Sequence, residues 1–327
     1  MGKATIAGSY SIKGWGLKTF TPDELEQIHI ATLDIMQSTG LGIVCDEALD
    51  IFKAGGCDVN KKTQVVKFPK HIVKQALSMC PSHILLAGRD PKNDFIMGGK
   101  QVGFTPFGTA VLTQDLHTGK VRDSTKEDVA NMAVLCDALE NVDVFTPPVS
   151  PCDRPLSSYE LHGAEASFLN TTKHIDTDAE TGARCRKIID MAAVIVGGTA
   201  ELKKRPIVSF GTCPVSPLQL IKECCEVIIE SARFSIPINV LSMAMAGATS
   251  PVSLAGALVT HNVEVLAGIV LAQLTNPGAP VIYGSSTTTF NMKYGSATVG
   301  APEMGMISAA ASELSNFYGI PSYVGGT

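Results

Sequence analysis

The chain has 327 residues, 45% of them hydrophobic, with a mean hydropathy of +0.20, enough apolar material for one large barrel-sized core or two ordinary domains. A net charge of −5 and an isoelectric point near 5.8, with no basic run, exclude nucleic acid as the main partner. Nine scattered cysteines form no C-x-x-C pair, which argues against a zinc site, leaves no metal expected, and favours reduced thiols in the cytoplasm.

The N-terminal segment Met1-Gly2-Lys3-Ala4-Thr5-Ile6 has no signal-peptide character. Thr21-Pro22-Asp23-Glu24 predicts a helix start, with a Thr cap, Pro in the first turn and acids behind it. Leu25, Ile28, Ala31 and Ile35 continue at helical spacing, and Gly40 ends the run. A second helix is expected over 47–54, a strand over 65–68 and a third helix from Pro69 to Met79. Short strands follow at 83–87, 95–97 and 110–113. Residues 1–123 therefore read as a helical and small-sheet region, to which no chemistry is assigned.

From Ser124 the rhythm changes, and 124–327 reads as a barrel domain. A helix over 125–139 leads into a strand at Val142-Asp143-Val144-Phe145. Further apolar strands start near His174, Pro206, Pro237, Pro280 and Pro321, roughly 30–40 residues apart, each gap holding one helical pattern. Ser216-Pro217, Ser250-Pro251 and Ala301-Pro302-Glu303 read as helix starts. Val263 to Leu274 is too short to span a bilayer and contains Glu264, so it reads as a buried helix and no membrane partner is expected. No G-x-G-x-x-G follows any strand, so the fold expected is α/β, an incomplete (β/α)8 (TIM-type) barrel with about six βα units.

Such barrels place chemistry at the C-terminal strand ends. That rule selects Thr146 after the first strand, Asp176 and Asp178 after the second, Thr212 and Cys213 after the third, Ser242 and Met243 after the fourth, Ser285, Ser286 and Thr287 after the fifth, and Thr327 after the sixth. Asp176 and Asp178 are the only carboxylates paired at a strand end. Two apart, they face one way and suit acid–base catalysis; the alternative is a solvated pair capping a helix near Glu180. His174, at the start of its strand, His261, in an apolar helix, and Cys213, with no His partner, read as structural residues.

Several segments are similar to one family. Gly211-Thr212-Cys213-Pro214-Val215-Ser216-Pro217-Leu218, Ser250-Pro251-Val252-Ser253-Leu254-Ala255-Gly256, Gly278-Ala279-Pro280-Val281-Ile282-Tyr283-Gly284 and Tyr318-Gly319-Ile320-Pro321-Ser322-Tyr323-Val324-Gly325-Gly326-Thr327 resemble the trimethylamine methyltransferases. The resemblance implies transfer of a methyl group from trimethylamine to the Co(I) corrinoid of a cognate partner protein, in methylamine metabolism and methanogenesis. It implies no cofactor bound directly and a homo-oligomer at full length. Asp176 or Asp178 becomes the acid. Phe145, Phe210 and Tyr283 join Thr146, Thr212, Met243, Ser285, Ser286 and Thr327 as substrate-binding candidates, the aromatic faces suiting a methylated ammonium or simple core packing. Trimethylamine-specific members carry pyrrolysine, encoded by an in-frame amber codon. The resemblance therefore implies a truncated reading with pyrrolysine directly after Thr327. A TAG codon followed by a continuing frame is expected there, and any other codon overturns this. The competing readings are a pyrrolysine-independent quaternary-amine (glycine betaine-type) methyltransferase, an amine-binding protein and an inactive fragment.

Overall fold

A computed structural model describes residues 18–325, so Thr327 lies outside the described residues. The chain forms two compact units. One comprises His83–Phe210; the other joins the described residues up to Ser82 with those from Gly211 onward. This division follows where the chain packs, whereas the expected boundary between residues 123 and 124 follows where the rhythm of elements changes.

The second unit begins with α1 (Pro22–Ser38). Its start is the one predicted. Thr21 accepts from the Glu24 backbone N–H, and the Glu24 carboxylate accepts from the Thr21 N–H at 2.7 Å, which satisfies two otherwise orphaned donors. Gly40 then takes φ +77°, and a Cβ there would lie 2.3 Å from the Val66 carbonyl oxygen. β1 (Leu41–Ile43), α2 (Asp46–Ala54), β2 (Asp58–Asn60), β3 (Val65–Lys67) and α3 (Lys70–Met79) follow, with β3 antiparallel to both β1 and β2.

The first unit opens with two antiparallel pairs, β4 (His83–Leu86) with β5 (Phe95–Gly98) and β6 (Leu112–Gln114) with β7 (Val121–Asp123). Strand–helix repeats succeed them: α4 (Lys126–Ala138), β8 (Val144–Phe145), α5 (Tyr159–Asn170), β9 (His174–Asp178), α6 (Gly182–Val196), α7 (Thr199–Lys204) and β10 (Val208–Thr212). β8 runs parallel to β9, with Phe145 opposite Ile175. On its other side β9 meets the approach to β10, where the Ile175 N–H donates to the Ile207 carbonyl at 3.1 Å.

The second unit resumes with β11 (Gln219–Leu220), which pairs parallel with β1, then α8 (Lys222–Phe234), β12 (Ile238–Ser242), β13 (Met245–Ala246), α9 (Leu254–Thr275), β14 (Val281–Ser285), β15 (Thr288–Asn291), β16 (Ser296–Ala297), α10 (Pro302–Tyr318) and β17 (Ser322–Val324). β14 lies between β12 and β17, parallel to both. All six predicted strand segments are strands, three ending in each unit's repeats or at its border, so the architecture is mixed α/β with parallel strands alternating with helices.

Two predicted helix starts are corrected. Ser216-Pro217 lies in a turn before β11, because the Ser216 hydroxyl and the Leu218 N–H both donate to Glu264 instead of opening a helix. Ser250-Pro251 precedes α9, whose cap is Ser253, accepting from the Gly256 N–H. α9 packs against α1, α3 and α8. It is the one helix among the described residues long and apolar enough to cross a membrane, and 78% of its most apolar stretch is buried within the fold.

Candidate active site

The strongest site of the first unit grows from the alternation of β9. Side chains two apart share a face of a strand, so His174, Asp176 and Asp178 form a column. Ser209 of β10 joins that face: its Oγ lies 2.7 Å from Asp176 Oδ1 and 3.0 Å from His174 Nε2. The column runs from fully buried His174, through Asp176 at 8% exposure, to solvent-exposed Asp178. Loss of hydration raises the Asp176 carboxyl to about 7, only partly offset by the Ser209 hydroxyl, with Asp178 adding a smaller raising effect. Asp178, dense protein around it despite its open surface, is raised by the same cause, and Thr109 opposes that with a long 3.5 Å hydrogen bond. Burial lowers His174 to about 4.

The aspartates do not cap α6. Thr181 does, accepting from the Arg184 N–H, so the capping alternative is set aside. The turn between them is pinned by buried Glu160, which accepts from the Glu180 N–H at 2.6 Å and from Arg184 Nη1 at 2.7 Å. A second wall comes from residues 104–110. Thr105 Oγ1 and Thr146 Oγ1 are 2.8 Å apart, and the Ala110 N–H donates to the Pro148 carbonyl at 2.9 Å. Pairing of Phe145 with Ile175 places Thr146 on the face of Asp176. The same alternation puts Phe145 and Phe210, both fully buried, on the opposite face. Of the candidates in this unit, Asp176, Asp178 and Thr146 therefore come together, and Phe145 and Phe210 stand apart from them.

In the second unit Ser242, Ser285 and Ser286 meet at the ends of the paired strands β12 and β14. The Tyr283 hydroxyl donates to Asn262 Oδ1 of α9 at 2.8 Å, and Ser285 shares its strand face, so both are turned toward that helix. Ser242, opposite Ser285, donates to Glu264 of α9 at 2.6 Å. Met243 is exposed, Thr212 and Ser286 are half-buried, and the Ser286 N–H donates to the Ser242 carbonyl at 2.9 Å. The segment after β14 forms a hairpin, β15 antiparallel to β16. Cys213, read as a structural residue, is exposed. His261, expected to be a satisfied packing residue, places Nδ1 3.0 Å from Thr287 Oγ1 while Nε2 has no partner among the described residues.

Sequence reasoning missed Ser209 and Asn239. Asn239, 2% exposed in β12, lies on the strand face away from α9, and its Oδ1 has no hydrogen-bond partner among the described residues. Gly284 makes room for it, since a Cβ there would sit 2.2 Å from that oxygen. The available signal is compositional: a Ser or Asn inside an otherwise apolar, doubly covered strand is out of place. Among the described residues no three His, Cys, Asp or Glu side chains cluster as metal ligands.

Residues 12–327 match the family described as trimethylamine methyltransferase (MTTB). The chain belongs to the trimethylamine methyltransferase family. Within that family it is 49% identical over 320 residues to the trimethylamine methyltransferase MttB of Desulfitobacterium hafniense, covering 98% of this chain and 64% of that protein. It is 48% identical over 328 residues to the MttB of Methanosarcina barkeri, of which it covers 66%. The glycine betaine methyltransferase of Desulfitobacterium hafniense is more distant, at 33% identity over 307 residues. The chain thus spans slightly less than two thirds of the length of these relatives. Its fold resembles that of the crystal structure of the Methanosarcina barkeri monomethylamine methyltransferase (MtmB), with a TM-score of 0.54 at 14% identity, covering 92% of this chain and 65% of that one.

Proposed function

We propose that this chain carries the acid of a trimethylamine:corrinoid protein methyltransferase, with Asp176 as that acid and Asp178 and Thr146 beside it. The observation that carries the reading is a buried carboxyl, held by Ser209, on a strand face shared with an exposed carboxylate, and burial pushes its titration up to about 7. The substrate and the acceptor, a Co(I) corrinoid on a separate partner protein, come from the family, and 49% against 33% identity favours trimethylamine over glycine betaine. The (β/α)8 barrel is the architecture to which we assign the strand–helix repeats; it supports the site because β9 offers its C-terminal end to chemistry.

The chemistry follows from leaving-group ability. A neutral amine nitrogen releases a methyl group poorly, since the electron pair of the broken N–CH3 bond must stay on nitrogen. A carboxylic acid that donates its proton to that nitrogen lets dimethylamine leave neutral. The methyl group would pass as a cation equivalent to the partner protein's reduced corrinoid, which would supply the electron pair of the new bond. Asp176 ends as a carboxylate. An acid titrating near neutrality combines availability with donating power. In this scheme Thr146 supplies a polar contact beside Asp176 at the strand ends, and the aromatic rings of Phe145 and Phe210 act through packing.

The test uses the protein that contains this chain, its corrinoid acceptor and trimethylamine, following methyl–cobalt formation spectroscopically. Asp176→Asn is expected to lower the transfer rate by about 10²–10⁴-fold, the usual contribution of a positioned general acid. Asp178→Asn is expected to have the smaller effect. An Asp176→Asn protein that transfers methyl groups at the unaltered rate removes Asp176 from this role.

A further inference from the structure

The contacts around Ser209 constrain where protons can sit. His174 Nδ1 lies 3.2 Å from the Ala87 carbonyl oxygen and 3.1 Å from that of Pro206. Carbonyls only accept, so Nδ1 carries a hydrogen. On the other side of the ring, Nε2 faces Ser209 Oγ at 3.0 Å, and Oγ faces Asp176 Oδ1 at 2.7 Å. The serine has a single hydrogen for these two contacts. With His174 neutral and Asp176 ionised, one contact is a meeting of lone pairs with no hydrogen between them. One added proton repairs this. It either rests on Asp176, which then donates to Ser209 while Ser209 donates to Nε2, or rests on Nε2, which donates to Ser209 while Ser209 donates to the carboxylate. The two arrangements differ by shifting two hydrogens along the chain.

We propose that His174, Ser209 and Asp176 form a proton-retaining relay in which one shared proton is held on the Asp176 carboxyl, with His174 and Ser209 as positioning residues that force its recapture after each donation. Burial selects the arrangement. His174 and Ser209 are at most 1% exposed and Asp176 is 8% exposed, so the form with three neutral groups avoids burying an imidazolium and a carboxylate. The directions of the two titrations, Asp176 upward and His174 downward, agree with it. Few charges intrude. Asp178 faces Asp176, and Asp94 acts on His174 but is itself held by Arg205 through two 2.8 Å contacts. Neighbouring Lys173 is turned away, donating to the Cys136 and Leu139 carbonyls at 2.6 Å. When Asp176 donates its proton, Ser209 can turn to the new carboxylate only by deserting Nε2. The relay therefore favours taking a proton back.

What the held proton is used for rests on the methyl-transfer reading; its location does not, and it is measured on the full chain with neither amine nor corrinoid present. Infrared difference spectra between the unaltered protein and Asp176→Asn isolate the carbonyl stretch of a protonated Asp176. The band is expected at pH about 6, a unit below the value near 7, and its absence overturns the proposal. His174→Phe removes the acceptor at Nε2 and frees Ser209 for the carboxylate, so the midpoint at which the band is lost should fall by a pH unit or more, roughly a tenfold shift in proton affinity. An unmoved midpoint overturns the relay. Histidine ¹⁵N spectra of the unaltered chain give a reading that needs no variant. His174 is expected as the neutral Nδ1–H tautomer at neutral pH, and an imidazolium or Nε2–H form overturns the proposal. A failed methyl-transfer assay leaves both readouts as they are, and a failed relay leaves that assay's outcome open to Asp176 alone.

Discussion

Replacing Glu264 with alanine is expected to lower the stability of the unit that contains it by about 3–5 kcal/mol. Glu264 is fully buried in α9, yet it is the acceptor for three donors: Ser216 Oγ at 2.8 Å, the Leu218 N–H at 2.9 Å and Ser242 Oγ at 2.6 Å. Burial outweighs those donors and raises its pKa, so the carboxyl is costly to hold. Removing it is costlier. The Leu218 amide cannot rotate away, and an unsatisfied buried donor of this kind costs about 1–3 kcal/mol. The two hydroxyls can turn but find few acceptors in an apolar core, and the lost side chain leaves a cavity. Glu264→Gln keeps the volume and one accepting oxygen and should lose appreciably less. Denaturant unfolding checks both, and hydrogen exchange at the Leu218 amide reports the local effect. A loss under about 1 kcal/mol for Glu264→Ala would show that the three donors have other partners.

Much of the scaffold was legible because local rules and tertiary packing agree. The capping box at Thr21 and Glu24, the Pro302 helix start and all six parallel strands stand where the pattern places them. The failures are places where a distant partner overrides a local signal. Ser216-Pro217 has the chemistry of a helix start, but a carboxylate 48 positions along the chain claims its hydroxyl. Two-residue strands such as β11 and β13 carry no period long enough to read. At the site, the spacing of Asp176 and Asp178 gave the shared face, but not that one is buried and the other exposed. Strand alternation, read strictly from Asp176, would already have set Phe145 and Phe210 on the other face once register was known, and register is the information a single sequence lacks. His174 was read as inert because it sits at the start of β9. Its role is visible only when Ser209, from a different strand, stands between it and the acid.

The paired titrations of Asp176 and His174 have a consequence for stability that single variants should uncover. Asp176 moves from an ordinary 3.8 to about 7 in the fold, so the folded state holds its proton more tightly than the unfolded chain does. Its stabilisation is fully present below about 3.8 and is lost as the pH rises toward 7. His174 moves the other way, from 6.5 to about 4, so its contribution is present above 6.5 and is lost as the pH falls toward 4. Between these limits the unfolded chain binds one proton on the histidine and the folded chain binds one on the aspartate. The counts are equal, and the pair contributes no slope. Asp176→Asn leaves only the histidine, and its folding equilibrium, relative to the unaltered protein, should weaken roughly tenfold for each unit the pH falls from 6.5 toward 4. His174→Phe leaves only the aspartate and should weaken roughly tenfold per unit as the pH rises from 3.8, flattening before 7 because the relay no longer holds the proton as firmly. Denaturant midpoints collected across this range compare each variant with the unaltered chain, which cancels the surface carboxylates common to all three. Opposite slopes in the two variants are the expected result, and parallel profiles in all three proteins would mean that neither group changes its proton affinity on folding.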